Sequence, residues 1–194
     1  MSQKKPICFR IAKTREDKKR IQAFRRECYV EMGRNDLVEM DTRDAEKQEL
    51  LDDRLKLLEA RSGDQTIGTL RWGPYRDVQG KDDFTDRIVS NRTGIPSVPP
   101  GYFSRTDRLL IHRDFRSRFI LMRLATFCLP LALAAGVRYD ICWSEGFLTR
   151  IYSRMGYQTI PQKLKNRCLS TMYPQILTIA DFARKFQRKK NPVT

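Results

Sequence analysis

Glu39, Asp41 and Asp44 stand in an E-x-D-x-x-D run. Two carboxylates two residues apart in a loop could bind an ammonium group and take its proton, directly or through water. The same run could equally be a solvated acidic loop, or a salt-bridge network with Arg25, Arg26 and Arg71. Arg71 and Arg108 lie near the ends of strand candidates, and a guanidinium buried in a cleft needs a carboxylate partner. That partner could be the carboxylate of a substrate. It could also be Asp41 or Asp44, with the arginine pinning the acidic loop, and for Arg71 the structural role is preferred. Ser104 and Trp143, on two strand candidates, complete the expected substrate-binding set. Arg113, Arg116 and Arg118 crowd a turn in front of an apolar helix beginning at Phe119, and a helix N-terminus beside such arginines can hold one phosphate. Lys163 and Lys165, with Arg167 and the basic stretch 184–190, could dock an acidic partner or be solvated surface. His112 is the only histidine. This excludes a multi-histidine metal site and any Ser-His scheme lacking it, and His112 itself reads as a strand end.

The elements that must position these residues follow from periodicity. Residues 102–112 form a strand candidate, 113–118 a basic turn, 119–135 an apolar helix, 137–144 a strand, and 147–155 a helix ending at Gly156-Tyr157. A β-α-β-α order predicts a parallel strand pair with a crossover helix. Ligands in such sheets sit at strand carboxyl ends beside helix N-termini, so the site is expected where 112–119 meets 143–146. Upstream, 7–13 is an opening strand, and Thr14 with Asp17 forms a capping box for a helix to about Gly33. Residues 35–53 read as acidic loop plus a short helix. Residues 54–60 and 66–72 are strands joined by a hairpin turn at 62–65. The stretch 73–101 reads as an unusually long loop, expected to be functional, a substrate flap with a short helix at 82–89. Beyond the centre come a strand at 158–160, a basic loop at 161–167, a strand at 169–173, and a helix at 179–189 capped by Thr178. The fold class is α/β: a mixed, splayed sheet flanked by helices on both faces. Residues 1–190 make a single domain, with 191–194 the end of a basic tail.

A chain of 194 residues suits one such domain. Its longest apolar run, about 119–137, is broken by Arg123 and Pro130, short of the ~20 residues a membrane helix needs. The N-terminus has no apolar h-region, so no signal peptide is expected. Five scattered cysteines without a C-x-x-C suggest reduced thiols in a cytoplasm and argue against zinc. Residues 105–194 carry 17 Lys+Arg and 5 Asp+Glu, a net of +12, while residues 1–104 carry 21 and 18. That field recruits an acidic partner. Nucleic acid is the default suspect, but no zinc finger, RNP or glycine-rich RNA motif accompanies the charge.

The element order, with Asp107-Arg108-Leu109-Leu110-Ile111-His112-Arg113-Asp114-Phe115-Arg116 and Ile151-Tyr152-Ser153-Arg154-Met155-Gly156-Tyr157, resembles the GNAT N-acyltransferase superfamily. There the first stretch is the cofactor strand and loop, and the second a Y-x-x-x-G-F/Y helix end. A second series is similar to acyl-homoserine-lactone synthases and the related N-acyl amino acid synthases. It comprises Arg25 and Tyr29, Glu39 to Asp44, and Ile67-Gly68-Thr69-Leu70-Arg71-Trp72-Gly73-Pro74, with Arg108 matching an arginine on the central strand. The lactone synthases have a Glu three residues before that arginine, where this chain has Arg105.

This resemblance implies an enzyme moving a long fatty acyl chain from the phosphopantetheine of acyl carrier protein to the α-amine of an amino acid. Tyrosine is favoured, by resemblance to N-acyltyrosine synthases. It implies no tightly bound cofactor and no metal. Tyr152 would donate to the leaving thiolate, although a tyrosine there could also simply pack its ring under the sheet. GNAT loops read Arg/Gln-x-x-Gly-x-Gly/Ala, and the glycines let backbone N–H groups approach a pyrophosphate. Here the run is Arg116-Ser117-Arg118-Phe119-Ile120-Leu121, with bulky residues at both glycine positions. A carrier-borne arm has one phosphodiester, so the lost glycines favour acyl carrier protein over free coenzyme A. The alternatives are a lactone synthase, a coenzyme A-dependent acetyltransferase, or a nucleic-acid-binding protein.

Overall fold

The computed structural model describes residues 5–92, 94–161, 164–165 and 171–190. It divides into two compact units, each made of two stretches of chain: Met1–Trp72 with Asp107–Cys128, and Gly73–Thr106 with Leu129–Thr194.

The first unit holds β1 (Ile7–Ile11), α1 (Arg15–Glu31), α2 (Asn35–Arg43), α3 (Ala45–Arg54), β2 (Lys56–Ser62) and nearly all of β3 (Gln65–Pro74). It also takes β4 (Phe103–Ile111) from Asp107 onward and α5 (Arg118–Ala134) as far as Cys128. Strands β1, β2 and β3 pair antiparallel in sequence order. Helix α1 starts as expected: Thr14 Oγ1 accepts from Asp17 N, and the Asp17 side chain answers with bonds from the Lys13 and Thr14 amides. Its apolar stripe, Ile21, Phe24, Cys28 and Tyr29, is buried. Helix α5 closes tightly on β3 at Gly68, where a Cβ would lie 3.3 Å from Leu124 Cδ1 and 3.4 Å from the Leu110 carbonyl oxygen.

The second unit begins with a 3-10 turn at Tyr75–Asp77, α4 (Asp83–Asn91) and a 3-10 turn at Pro100–Tyr102. It continues with the first residues of β4, then β5 (Tyr139–Glu145), α6 (Gly146–Met155), β6 (Gln158–Thr159), β7 (Leu164–Lys165), β8 (Thr171–Thr178) and α7 (Ile179–Lys190). β4 and β5 pair in parallel, Phe103 opposite Tyr139 and Arg105 opposite Ile141, as the β-α-β order requires. β8 runs antiparallel to β5 on one side and to β6 and β7 on the other. Strand order is β1-β2-β3-β4-β5-β8-β6, with β7 on β8, so the sheet is mixed. Gly156, at φ 111°, ends α6 in the left-handed region that favours glycine. Among the described residues no helix is long and apolar enough to cross a membrane.

Three expectations need correction. Residues 35–53 form two helices, α2 and α3, instead of loop plus one short helix. Their leucines, glutamates and lysine are good helix formers, and the density of acids had masked the period. The stretch 73–101 is not one long open loop. Tyr75, Val78 and Ile88 are buried, and Tyr75 Oη donates to Asp86 Oδ1 at 2.5 Å, so α4 is packed into its unit. The expected helix at 82–89 lies within this packing. Finally, β8 runs through Pro174 to Thr178, longer than the expected 169–173. Proline removes a ladder donor, which makes such a strand hard to read, but its carbonyl still accepts from Ile160 N at 2.9 Å.

Candidate functional site

In the first unit, β3 and β4 place Arg71 and Asp107 side by side, and α1 and α3 add Arg25 and Asp52. Arg71 donates Nε and Nη2 to the two Asp107 oxygens at 2.8 and 2.6 Å, a bidentate pair. Its Nη1 reaches Asp52 Oδ1 at 2.8 Å and the Gln48 carbonyl at 3.5 Å, and Nη2 also reaches Gln48 Oε1 at 3.1 Å. All five N–H groups of this 1% exposed side chain are engaged. Of the two roles open to Arg71, the structure shows the pinning one, with Asp52 and Asp107 as partners in place of Asp41 or Asp44. Asp52 also accepts Arg25 Nη1 at both oxygens, 3.1 and 2.9 Å. Burial alone would push the Asp52 carboxyl up, but the Arg25 and Arg71 guanidiniums outweigh it and hold it below its ordinary value. Arg71 is raised: Asp107 and Asp52 overcome the penalty of burial. Arg25 is lowered, because burial outweighs the single carboxylate it touches.

Arg108, next along β4, has φ 54°, a left-handed backbone that a bulky side chain rarely adopts. Its side chain is tied down by Asp41 Oδ1 at 2.5 Å from Nη2 and by Tyr29 Oη at 2.8 Å from Nη1. The three-carboxylate run is not brought together. Glu39 and Asp41 lie on helix α2, where residues i and i+2 face apart, and Asp44 sits at the junction with α3. The idea of two neighbouring loop carboxylates on one ammonium therefore fails on geometry. Glu39 is exposed and Asp41 is committed to Arg108.

The basic turn is formed as expected. His112 ends β4: its N–H donates to Ile67 O at 2.9 Å and its Nδ1 accepts from Asp114 N at 3.3 Å. Ser117 Oγ accepts from Ile120 N at 3.3 Å and starts α5. Arg113, Arg116 and Arg118 are exposed around this start. Phe119, at one former glycine position, is 59% exposed and packs edge-on against Phe9, with centroids 6.2 Å apart. Ile120, the next residue, is buried in the core.

In the second unit, Ser104 and Asp140 sit opposite each other on β4 and β5. Ser104 Oγ donates to Asp140 Oδ1, and Tyr157 Oη donates to Asp140 Oδ2 at 2.6 Å. Burial first, then the Asp140 carboxylate, pushes the Tyr157 phenol well above its ordinary value. Tyr152 is buried on α6 with its ring edge-on to Tyr157, centroids 5.5 Å apart. Trp143 is half-buried, stacked with Phe84 of α4 at 5.4 Å, and the Arg105 guanidinium lies 4.8 Å from its ring centroid. Arg105 is itself buried and pairs with Asp82 at 3.0 Å. Lys163 and Arg167 lie outside the described residues, as does the side chain of Lys165, and so do residues 191–194.

Sequence reasoning named Arg71 and Arg108 but missed Asp52, Asp107, Asp82, Asp140 and Tyr157. The signal for Asp107 was present: a buried strand arginine finds its acid most simply on the adjacent strand. Two thiols can be set aside as nucleophiles. Burial pushes Cys28 up to about 11 and Cys142 well above the ordinary thiol range.

No protein-family model matches the sequence, and no curated protein matches it. Solved structures do. FeeM, an N-acyl amino acid synthase from uncultured soil microbes, is 12% identical, with 92% of this chain and 94% of that chain covered and a TM-score of 0.64. A putative N-acetyltransferase from Lactobacillus plantarum is 16% identical, with 89% and 98% covered and a TM-score of 0.62. MesI, a CoA-dependent acyl-homoserine lactone synthase, is 14% identical, with 74% and 72% covered and a TM-score of 0.52. The chain therefore has the GNAT fold that the sequence resemblance implied.

Proposed function

We propose that this protein is an N-acyltransferase that moves a fatty acyl group from acyl carrier protein to the α-amine of an amino acid. The observation that carries this is the start of α5. Three exposed arginines surround a helix N-terminus that lacks the glycines a pyrophosphate would need, on a GNAT fold also found in an N-acyl amino acid synthase. One phosphodiester fits such a turn better than the pyrophosphate of coenzyme A. The basic half of the chain suits an acidic carrier, with Lys163 and Lys165 as further candidate contacts.

In the reaction, the acceptor nitrogen attacks the thioester carbon and the C–S bond breaks. The amine's proton leaves to Glu39 or to water, since Asp41 already holds Arg108. The thiolate receives a proton from Tyr152, which solvent restores. The net products are an amide and the free carrier thiol. Arg108 in the first unit, and Ser104 and Trp143 in the second, are the candidate substrate contacts. Tyrosine as acceptor rests on the family resemblance.

Purified protein incubated with a long-chain acyl carrier protein and amino acids tests the reading. Amide formation faster than with the matching acyl-coenzyme A supports it. Turnover with acyl-coenzyme A alone would replace the donor. A lactone formed from S-adenosylmethionine would replace the acceptor.

A further inference from the structure

Arg25 is a guanidinium of the first unit with buried donors to spare at two of its nitrogens. Its Nη1 serves Asp52, while Nε and Nη2 are buried and have no hydrogen-bond partner among the described residues. Its side chain is 4% exposed. Leaving such donors unpaired in a low-dielectric interior is unfavourable, so the arrangement calls for an occupant. Arg71, by contrast, is saturated, and Arg108 is held by Asp41 and Tyr29.

We infer that the open edge of Arg25 binds the α-carboxylate of the acceptor amino acid. This deepens the proposed function and rests on it. Charge matching supports a single carboxylate. Arg25, Arg71 and Arg108 face Asp52, Asp107 and Asp41. Asp41 is the most exposed of these acids, its side chain 28% exposed, and it rides on α2, which buries none of its residues. The two donors are closed to solvent, so a ligand reaches them only where a neighbouring element yields. Helix α2 is joined to α1 through Gly33, at φ 67° with nothing within 4 Å of where a Cβ would stand. Were α2 to lift and take Asp41 from Arg108, the cluster of three guanidiniums would keep two carboxylates and be one negative charge short. The acceptor's carboxylate supplies it, with Nε and Nη2 arranged for a two-oxygen contact.

Calorimetric binding of an N-acyl-tyrosine and of its primary amide decides this, with turnover from acyl carrier protein measured alongside. Wild type is expected to bind the acid at least ~10-fold tighter than the amide, the range for a hydrogen bond to a charged group. Arg25→Met is expected to erase that preference while binding the amide as wild type does, and Arg25→Lys to restore part of it. A structural role alone would weaken both ligands together. Equal binding of acid and amide by wild type overturns the inference even if Arg25→Met does not fold, and so does a preference that survives the substitution. If neither ligand binds and no acyl transfer occurs, both the inference and the function reading fail. Transfer without carboxylate preference leaves the function standing and removes only this site.

Discussion

Asp41 holds Arg108 at 2.5 Å, and Arg108 holds β4 in a left-handed kink at φ 54°. The ion pair and the strain belong together, since an isolated side chain there would favour relaxation of the backbone. Replacing Arg108 with Ala removes the pair and keeps the strain; replacing it with Gly removes both. Arg108→Gly is therefore expected to be more stable than Arg108→Ala by about 1 kcal/mol. Denaturant midpoints of the two variants measure the difference, and equal midpoints would mean the kink stores nothing.

Asp52 lies between Arg25 and Arg71 with 1% of its side chain exposed. Asp52→Ala leaves two buried guanidiniums short of a partner, and a loss of about 3–5 kcal/mol is expected, the range for breaking a buried pair. Thermal melts of the variant beside Asp53→Ala, an exposed neighbour, give the check. A loss no larger than that of Asp53→Ala would show that the cluster relaxes freely.

The same carboxylate sets an acid limb. The folded protein holds Asp52 below its ordinary value, and Glu59 is likewise lowered, its burial outweighed by Arg20, Thr66 and Arg10. A depressed folded value means the unfolded chain binds the proton more tightly. The stabilisation is complete above the unfolded value of about 4 and fades as pH falls through the folded value. The stability gap between wild type and Asp52→Asn should therefore narrow from pH 7 to pH 3. A gap that stays constant would remove Asp52 from the acid limb.

Arg113, Arg116 and Arg118 are exposed and grouped at the α5 start, so the proposed function predicts that their loss weakens donor capture without unfolding the protein. Arg116→Ala is expected to raise KM for the acyl carrier protein several-fold, with kcat nearly unchanged and a smaller effect at high salt. Steady-state kinetics at two ionic strengths decide it. A fall in kcat at constant KM would move Arg116 from binding to chemistry.

Much of the scaffold was legible. The capping box of Thr14 and Asp17, the β2–β3 hairpin, the parallel β4–β5 pair and the Gly156 helix stop are local signals, and each stands where its residues require. The site was less so. Arg71 could be recognised as needing a carboxylate, but Asp52 lies 19 residues away on a helix hidden in an acidic stretch, and pairing across elements leaves no local pattern. Tyr157 was read as part of a helix-end motif, and its bond to Asp140 depends on how α6 folds back beside β5. The donor deficit of Arg25 arises from contacts between α1 and α3, 27 residues apart, which leave no local pattern.

Mass spectrometry of lipid extracts from bacteria producing this protein, beside a Tyr152→Phe variant, tests the central claim most directly. The account predicts new N-acyl amino acids from the wild-type protein, which identify acceptor and chain length together, and a marked drop with Tyr152→Phe. Soluble, folded wild-type protein that yields no acylated amine would contradict it.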